Sequence, residues 1–296
     1  MNYRQIMVFG EVLYDCFPTG EQVLGGAPFN VAWHLEALGA HPCFISAIGE
    51  DDLGQRILAA MNDWGMRADG VQLHAEHPTG MVEVQILDGQ PSYHISENVA
   101  YDHIHADLLP DASEDFILYH GTLARRHEES RRAFECLAGR KGCDLFVDVN
   151  LRDPWWSKDD VLACVARARW AKMNADELAD LGFAEADTDV AMAGLMAQTS
   201  LEQLIVTRGA DGALVRTRSD EIIPVAAPPI KRHIDTVGAG DAFSAVYLQG
   251  LMIGRPIEEN IRMAQQLAAE IIAMRGAIPT DRTLYDKLMT TGCDHV

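Results

Sequence analysis

The chain has 296 residues, 48% hydrophobic and 23% charged, which is enough to bury a large core and excludes disordered and fibrous readings. Asp and Glu number 44 against 24 Lys and Arg, and the resulting formal charge of -20 excludes a sizeable footprint on nucleic acid or an anionic membrane. No apolar run approaches the ~18 residues of a membrane span and the N-terminus leads straight into a strand-like segment, so a cytoplasmic protein is expected.

Ile6-Met7-Val8-Phe9-Gly10 reads as a strand, residues 28–38 as a helix closed by Gly39, residues 43–48 as a second strand and residues 53–62 as a second helix. Strands are expected again at 116–119, 144–149, 170–173 and 204–207, and helices at 128–138, 159–166, 239–251 and 257–274. This alternation predicts an α/β fold with a mainly parallel sheet covered by helices. Two stretches break it, about 11–24 and 80–97, where period-two patterning flanks the turn Asp88-Gly89-Gln90-Pro91. They are expected to form a small antiparallel lid over the strand ends of one domain spanning 1–296. The run Met81, Val82, Val84 and Ile86 would be costly to leave in water, so it either covers substrate or forms a homodimer interface.

The six cysteines are scattered, with no Cys-x-x-Cys pair, and reduced thiols are expected. His74, His77, His94, His103 and His105 lie near one another without the helical spacing of a zinc site. Gly-x-x-x-x-Gly-Lys-Ser/Thr is absent, as is a Gly-x-Gly-x-x-Gly after the first strand, which removes support for Walker-type and dinucleotide-binding folds. Lysines are few, at 141, 158, 172, 231 and 287, so bound phosphates would depend on backbone amides, arginines and a metal.

Asp235-Thr236-Val237-Gly238-Ala239-Gly240-Asp241 runs directly into an apolar helix. Small residues there let N–H groups converge on an anion, with the helix dipole adding to the attraction. Asp241 would repel a simple phosphate, but it makes sense as the acceptor of a hydroxyl proton beside a transferring phosphoryl group. Read alone, the segment fits a capped helix with permissive glycines equally well. Gly25-Gly26-Ala27-Pro28-Phe29-Asn30 opens the first helix, with Pro28 suited to a first helical position and Asn30 offering donor and acceptor to a polyhydroxylated ligand. An ordinary β-α turn is the simpler reading of that cluster, and a solvated turn residue that of Asp15 upstream.

Together these two motifs resemble the ribokinase-like (PfkB) carbohydrate kinases in order and separation. The resemblance extends to Gly49-Glu50-Asp51-Asp52-Leu53-Gly54, Asp148-Val149-Asn150-Leu151-Arg152, Asn174-Ala175-Asp176-Glu177 and Val206-Thr207-Arg208-Gly209-Ala210-Asp211-Gly212-Ala213, so it covers nearly the whole chain. The first glycine motif, the Asp148 segment and Val99-Ala100-Tyr101-Asp102-His103-Ile104 are most similar to the fructokinase branch.

The resemblance implies a three-layer α/β/α core with a small β lid and an ATP-dependent transfer to a sugar hydroxyl, with fructose as the first acceptor. It implies Asp241 as the base and the amides of Gly238, Ala239 and Gly240 as the anion hole. Asp15, Gly25, Gly26 and Asn30 would hold the sugar, with Arg152 as a weaker contact. Asn174 and Glu177 would organise the triphosphate and Mg2+, Glu177 through water, while Thr207, Gly209 and Gly212 line the nucleotide. A monovalent cation, K+, would lie near Asp235, Val237, Gly276 and Thr280. Sugar and ATP are the expected partners, and neither nucleic acid nor membrane is. Phe29 and Val246 depart from the small residues usual in the family; Val246 is expected to pack in a helix and Phe29 to narrow the sugar pocket. A kinase of another sugar, a sugar acid or a nucleoside is the enzyme alternative, with Phe29, Tyr93 and Tyr101 as candidate aromatic partners for a base. A sugar-binding regulator of the same fold is the non-enzyme alternative, which the intact Asp241 makes less economical.

Overall fold

A computed structural model describes residues 4–87, 90–229 and 232–291. Asp88 and Gly89 of the expected turn, Lys231, Cys293 and the side chain of Ile86 lie outside what it describes. The N-terminal half contains β1 (Gln5–Phe9), β2 (Leu13–Cys16), β3 (Gln22–Gly25), α1 (Ala27–Ala37), β4 (Cys43–Gly49), α2 (Asp52–Trp64), β5 (Val71–His74), β6 (Gly80–Leu87) and β7 (Gln90–Ile95). Next come β8 (Phe116–His120), α3 (Glu128–Ala138), β9 (Cys143–Asp148), α4 (Lys158–Arg167), β10 (Trp170–Asn174), α5 (Ala175–Asp180) and α6 (Thr188–Met196). The chain continues through β11 (Gln203–Thr207), β12 (Ala213–Thr217), β13 (Ile222–Val225), α7 (Ala239–Ile253), α8 (Ile257–Ile272) and α9 (Thr283–Thr291).

Among the described residues, nine strands form the central sheet in the order β13-β12-β11-β10-β9-β8-β1-β4-β5. It is parallel from β5 to β11, and β12 and β13 extend it antiparallel. Strands covered on both faces must be apolar on both, and Ile6, Met7, Val8 and Phe9 are all buried. Met7, Phe9, Leu118, Val147, Met173 and Val206 meet α3 to α6 on one face. On the other, Ile6, Val8, Ile117, Phe146 and Ile205 meet α1, α2, α7, α8 and α9, which gives three layers. The parallel strands deliver their C-terminal ends to one edge of this sandwich.

Strands β3-β2-β6-β7 form the small second sheet. Its outer pairs are antiparallel, but β2 and β6 run parallel, which corrects the expectation of a purely antiparallel lid. The cause lies in the core: β2 continues from β1 and β6 follows β5, and those two strands already point the same way. Asp51, the N-cap of α2, anchors the root of β6 by accepting from Gly54 N at 2.8 Å, Thr79 N at 2.8 Å and Thr79 Oγ1 at 2.7 Å. Pleating puts Leu13, Asp15, Val23, Val82, Val84, Tyr93 and Ile95 on one side of this sheet and Met81, Glu83 and Gln85 on the other. The run from Met81 onward is therefore not one apolar face; Val82 and Val84 are buried within the chain.

Candidate active site

A cleft of about 730 Å³ lies between the lid and the C-terminal ends of β1, β8, β9, β10 and β11. This is where a parallel α/β sheet offers its loops and helix N-termini to a ligand. Asp15, Gly25, Gly26, Asn30, Arg152, Asn174, Glu177, Thr207, Gly209, Asp235, Val237, Gly238, Gly240, Asp241 and Gly276 all line it, bringing together residues from both ends of the chain.

At its centre, α7 is N-capped by Gly238, whose φ of 80° and whose approach to Ala277 leave no room for a side chain; a Cβ would stand 2.4 Å from that of Ala277. The Ala239 N–H turns back to Thr236 O at 3.3 Å, so Gly238 and Gly240 line the cleft and Ala239 does not. Asp241 follows in the first turn, half-buried, and its Oδ2 accepts from Asn30 Nδ2 at 2.8 Å. Burial pushes the Asp241 carboxyl up to about 6; the Asn30 hydrogen bond opposes this, Asp148 adds to it, and Lys172 and Arg152 oppose it further. At neutral pH it is an ionised, poorly solvated carboxylate ready to take a proton.

Asn30 is held one turn into α1, with Pro28 in the first turn. Its Oδ1 is buried without a partner. Gly25 keeps the space beside it open: a Cβ there would stand 3.7 Å from Asp15 Oδ2 and 3.9 Å from Asn30 Oδ1. Gly26, at φ 108°, passes so close to Glu11 that a Cβ would meet its carbonyl oxygen at 2.7 Å. Desolvation under the lid raises Asp15 to about 6, with Arg152 opposing. Acceptors converging on an open space flanked by glycine suit a ligand with adjacent hydroxyl groups.

Three residues of this site went unassigned in the sequence reading. Glu11, 3% exposed with Oε2 unpartnered, is pushed up to about 7 by burial. Lys172 and Asp148 form a buried pair, Lys172 Nζ donating to both Asp148 oxygens at 2.9 Å. Cross-strand register of β9 with β10 sets that pair, and no local motif announces it.

Towards β10 and β11, Asn174 and Glu177 form a capping box, Glu177 N donating to Asn174 Oδ1 and Asn174 N to Glu177 Oε2, both at 2.8 Å. Glu177 Oε1 also accepts from Leu151 N at 3.1 Å. Each carboxylate oxygen keeps a lone pair, so the group can still hold a cation through water. Asp235 ties two loops together, accepting from Val237 N at 3.0 Å and Gly276 N at 3.4 Å. Thr280 is exposed and lies outside the cleft wall; Gly212 lies outside it too, but buried, where a Cβ would stand 2.1 Å from Val225 O.

Phe29 does not narrow the pocket. It is fully buried against Trp33 and Phe44, because its position on α1 points into the core while Asn30 points into the cleft. Tyr101 is likewise fully buried, and the aromatic groups that reach the cleft are Phe17 and Tyr93. Val246 packs in the core. His74, His77, His103 and His105 gather near Glu129, away from the cleft, and among the described residues no group of His, Cys, Asp and Glu has the arrangement of a metal site. No described helix is long and apolar enough to cross a membrane.

The pfkB family carbohydrate kinases match this chain over residues 4–284. The chain belongs to that family. Fructokinase-1 of Oryza sativa subsp. japonica is 29% identical over 308 residues, covering 93% of this chain and 94% of that one. The fructokinase double mutant of Vibrio cholerae O395, in a crystal structure with fructose, ADP and potassium ion bound, superposes with a TM-score of 0.83 at 23% identity, covering 97% and 98% of the two chains. Aminoimidazole riboside kinase from Salmonella enterica, complexed with aminoimidazole riboside and an ATP analog, superposes with a TM-score of 0.83 at 26% identity, covering 98% and 100%. As a PfkB carbohydrate kinase of the fructokinase branch, the protein is a phosphotransferase acting on a sugar hydroxyl.

Proposed function

We propose that this PfkB kinase transfers the γ-phosphoryl group of ATP to fructose, giving fructose 6-phosphate. The observation that carries the chemistry is the contact between Asn30 and Asp241 at the start of α7, which joins a hydroxyl-binding amide to a proton-accepting carboxylate at a positive helix end. Asp15 and Asn30 orient the sugar, Asp241 takes the proton of the attacking hydroxyl, and the amides of Gly238 and Gly240 face the charge that develops on the phosphoryl oxygens. The lid excludes water, with its apolar side turned inward. Fructose as acceptor rests on the likeness to plant fructokinases.

Magnesium fits at Glu177, through water, where it would screen the triphosphate charge. Asp235, Val237 and Gly276, which line the cleft, are the residues proposed for a potassium ion, and Thr280 lies outside its wall. The second reading is a riboside acceptor, favoured by Phe17 and Tyr93 on the cleft wall and by the Salmonella enterica likeness. Steady-state ADP release with fructose, ribose, glucose, 2-keto-3-deoxygluconate and nucleosides separates the two. The highest kcat/KM on fructose is expected, and a higher value on a nucleoside overturns fructose in favour of the second reading.

A further inference from the structure

We propose that Lys172 is a further catalytic residue of this kinase, its ammonium group carrying positive charge onto the phosphoryl group as it is transferred. The inference rests on the kinase reading and adds a group to it. β10 places Lys172 in register with Asp148 of β9, on the sheet face that α7 covers. There its Nζ comes within 3.3 Å of the point that a Cβ on Gly240 would occupy, directly beneath the first turn of α7. A helix N-terminus is already a positive end, and the Asp148 and Asp241 carboxylates offset part of the charge gathered there with Lys172. An anion in the cleft above would meet what is left.

The charge on Lys172 is incompletely spent. Asp148 takes two of its three N–H donors, but Asp148 Oδ2 also accepts from Ser244 Oγ at 2.7 Å and from the Tyr119 hydroxyl at 3.2 Å. Burial works against the ammonium, Asp148 together with Glu177 and Asp241 outweighs it, and Lys172 stays above the ordinary lysine value, charged throughout. Among the described residues, the other basic side chains on the cleft wall, Arg152 and Arg275, are both exposed, and Arg275 is paired with Glu21 at 2.7 Å. In the transfer, the bond from the acceptor oxygen to phosphorus forms, the bond from phosphorus to the bridging oxygen of ADP breaks, and the acceptor proton passes to Asp241. Lys172 keeps its own proton and offers a fixed, desolvated charge that water cannot reorganise away.

The test is the double variant Lys172→Met with Asp148→Asn, which removes the buried pair together and leaves position 148 able to accept from Ser244 and Tyr119. Thermal melting first establishes that it folds. Expected are ADP affinity within about twofold of wild type, affinity for the β,γ-imido analogue of ATP lower by about tenfold, and kcat lower by about 10² to 10³. A purely structural pair would weaken ADP and the analogue alike. Equal losses for the two nucleotides, or a kcat within about threefold of wild type, overturn the assignment. If wild-type protein turns over no acceptor, it is the kinase reading that fails, and the comparison of the two nucleotides still reads Lys172 directly.

Discussion

Asn30 and Asp241, 211 residues apart in the chain, are joined by a hydrogen bond of 2.8 Å that fastens the start of α1 to the start of α7. The bond engages one Asp241 oxygen, leaving the other for the acceptor hydroxyl in the proposed transfer, and fixes the carboxylate within the first helical turn. Both glycine motifs therefore act as one unit, each supplying a helix end and a polar side chain to the same few ångströms.

Activity should follow the ionisation of Asp241. Its carboxyl is raised to about 6 by burial and must be ionised to accept a proton. The kcat/KM profile is expected to be flat above about pH 7 and to fall about tenfold per unit below about pH 6. An acid limb centred near 4, the ordinary carboxylate range, would place the rate-controlling base elsewhere.

Glu11 links stability to pH in the opposite sense from a salt-bridged carboxylate. Its folded pKa, about 7, lies above the 4.5 of the exposed group, so the folded chain holds its proton more tightly. The associated stability is fully present below about pH 4.5 and is lost as pH rises through about 7, a loss approaching ~3 kcal/mol by pH 8. Glu11→Gln is expected to raise Tm at pH 8 and to change it little at pH 5. Calorimetric melts that shift by the same amount at both values would show that burial of the charge is not the cause.

Gly26→Ala should damage fold and site together. A Cβ would meet Glu11 O at 2.7 Å, and φ at 108° is a region that side chains rarely enter. A stability loss of about 1–3 kcal/mol is expected, together with a rise in KM for the sugar larger than that for ATP. Denaturant melts and the two KM values check it; matching wild-type values would mean the backbone at 26 yields without cost.

The strand and helix alternation could be read because buried parallel strands and amphipathic helices differ in period, and α3 is a case where the expected and observed ends coincide. The edge strand β5 escaped notice, being four residues long with the polar Gln72 and His74 inside it. The six-residue α5 depends on the reciprocal cap between Asn174 and Glu177 more than on any apolar period. Glycine motifs and Asp241 could be found because backbone requirements leave a mark in sequence. The Asp148 segment is visible in the sequence but its pairing with Lys172 is not, since strand register brings the two together, and Phe29 points into the core rather than the pocket because adjacent positions on a helix end differ by about 100° in direction.

The most direct test of the central claim compares wild type with Asp241→Asn for ADP release with Mg·ATP and fructose, alongside calorimetric binding of fructose and ADP. The account predicts ligand affinities within about threefold of wild type and a kcat reduced by between about 10² and 10⁴. A kcat close to wild type with intact binding would contradict it, because the proton of the acceptor hydroxyl would then leave by a route that does not include Asp241.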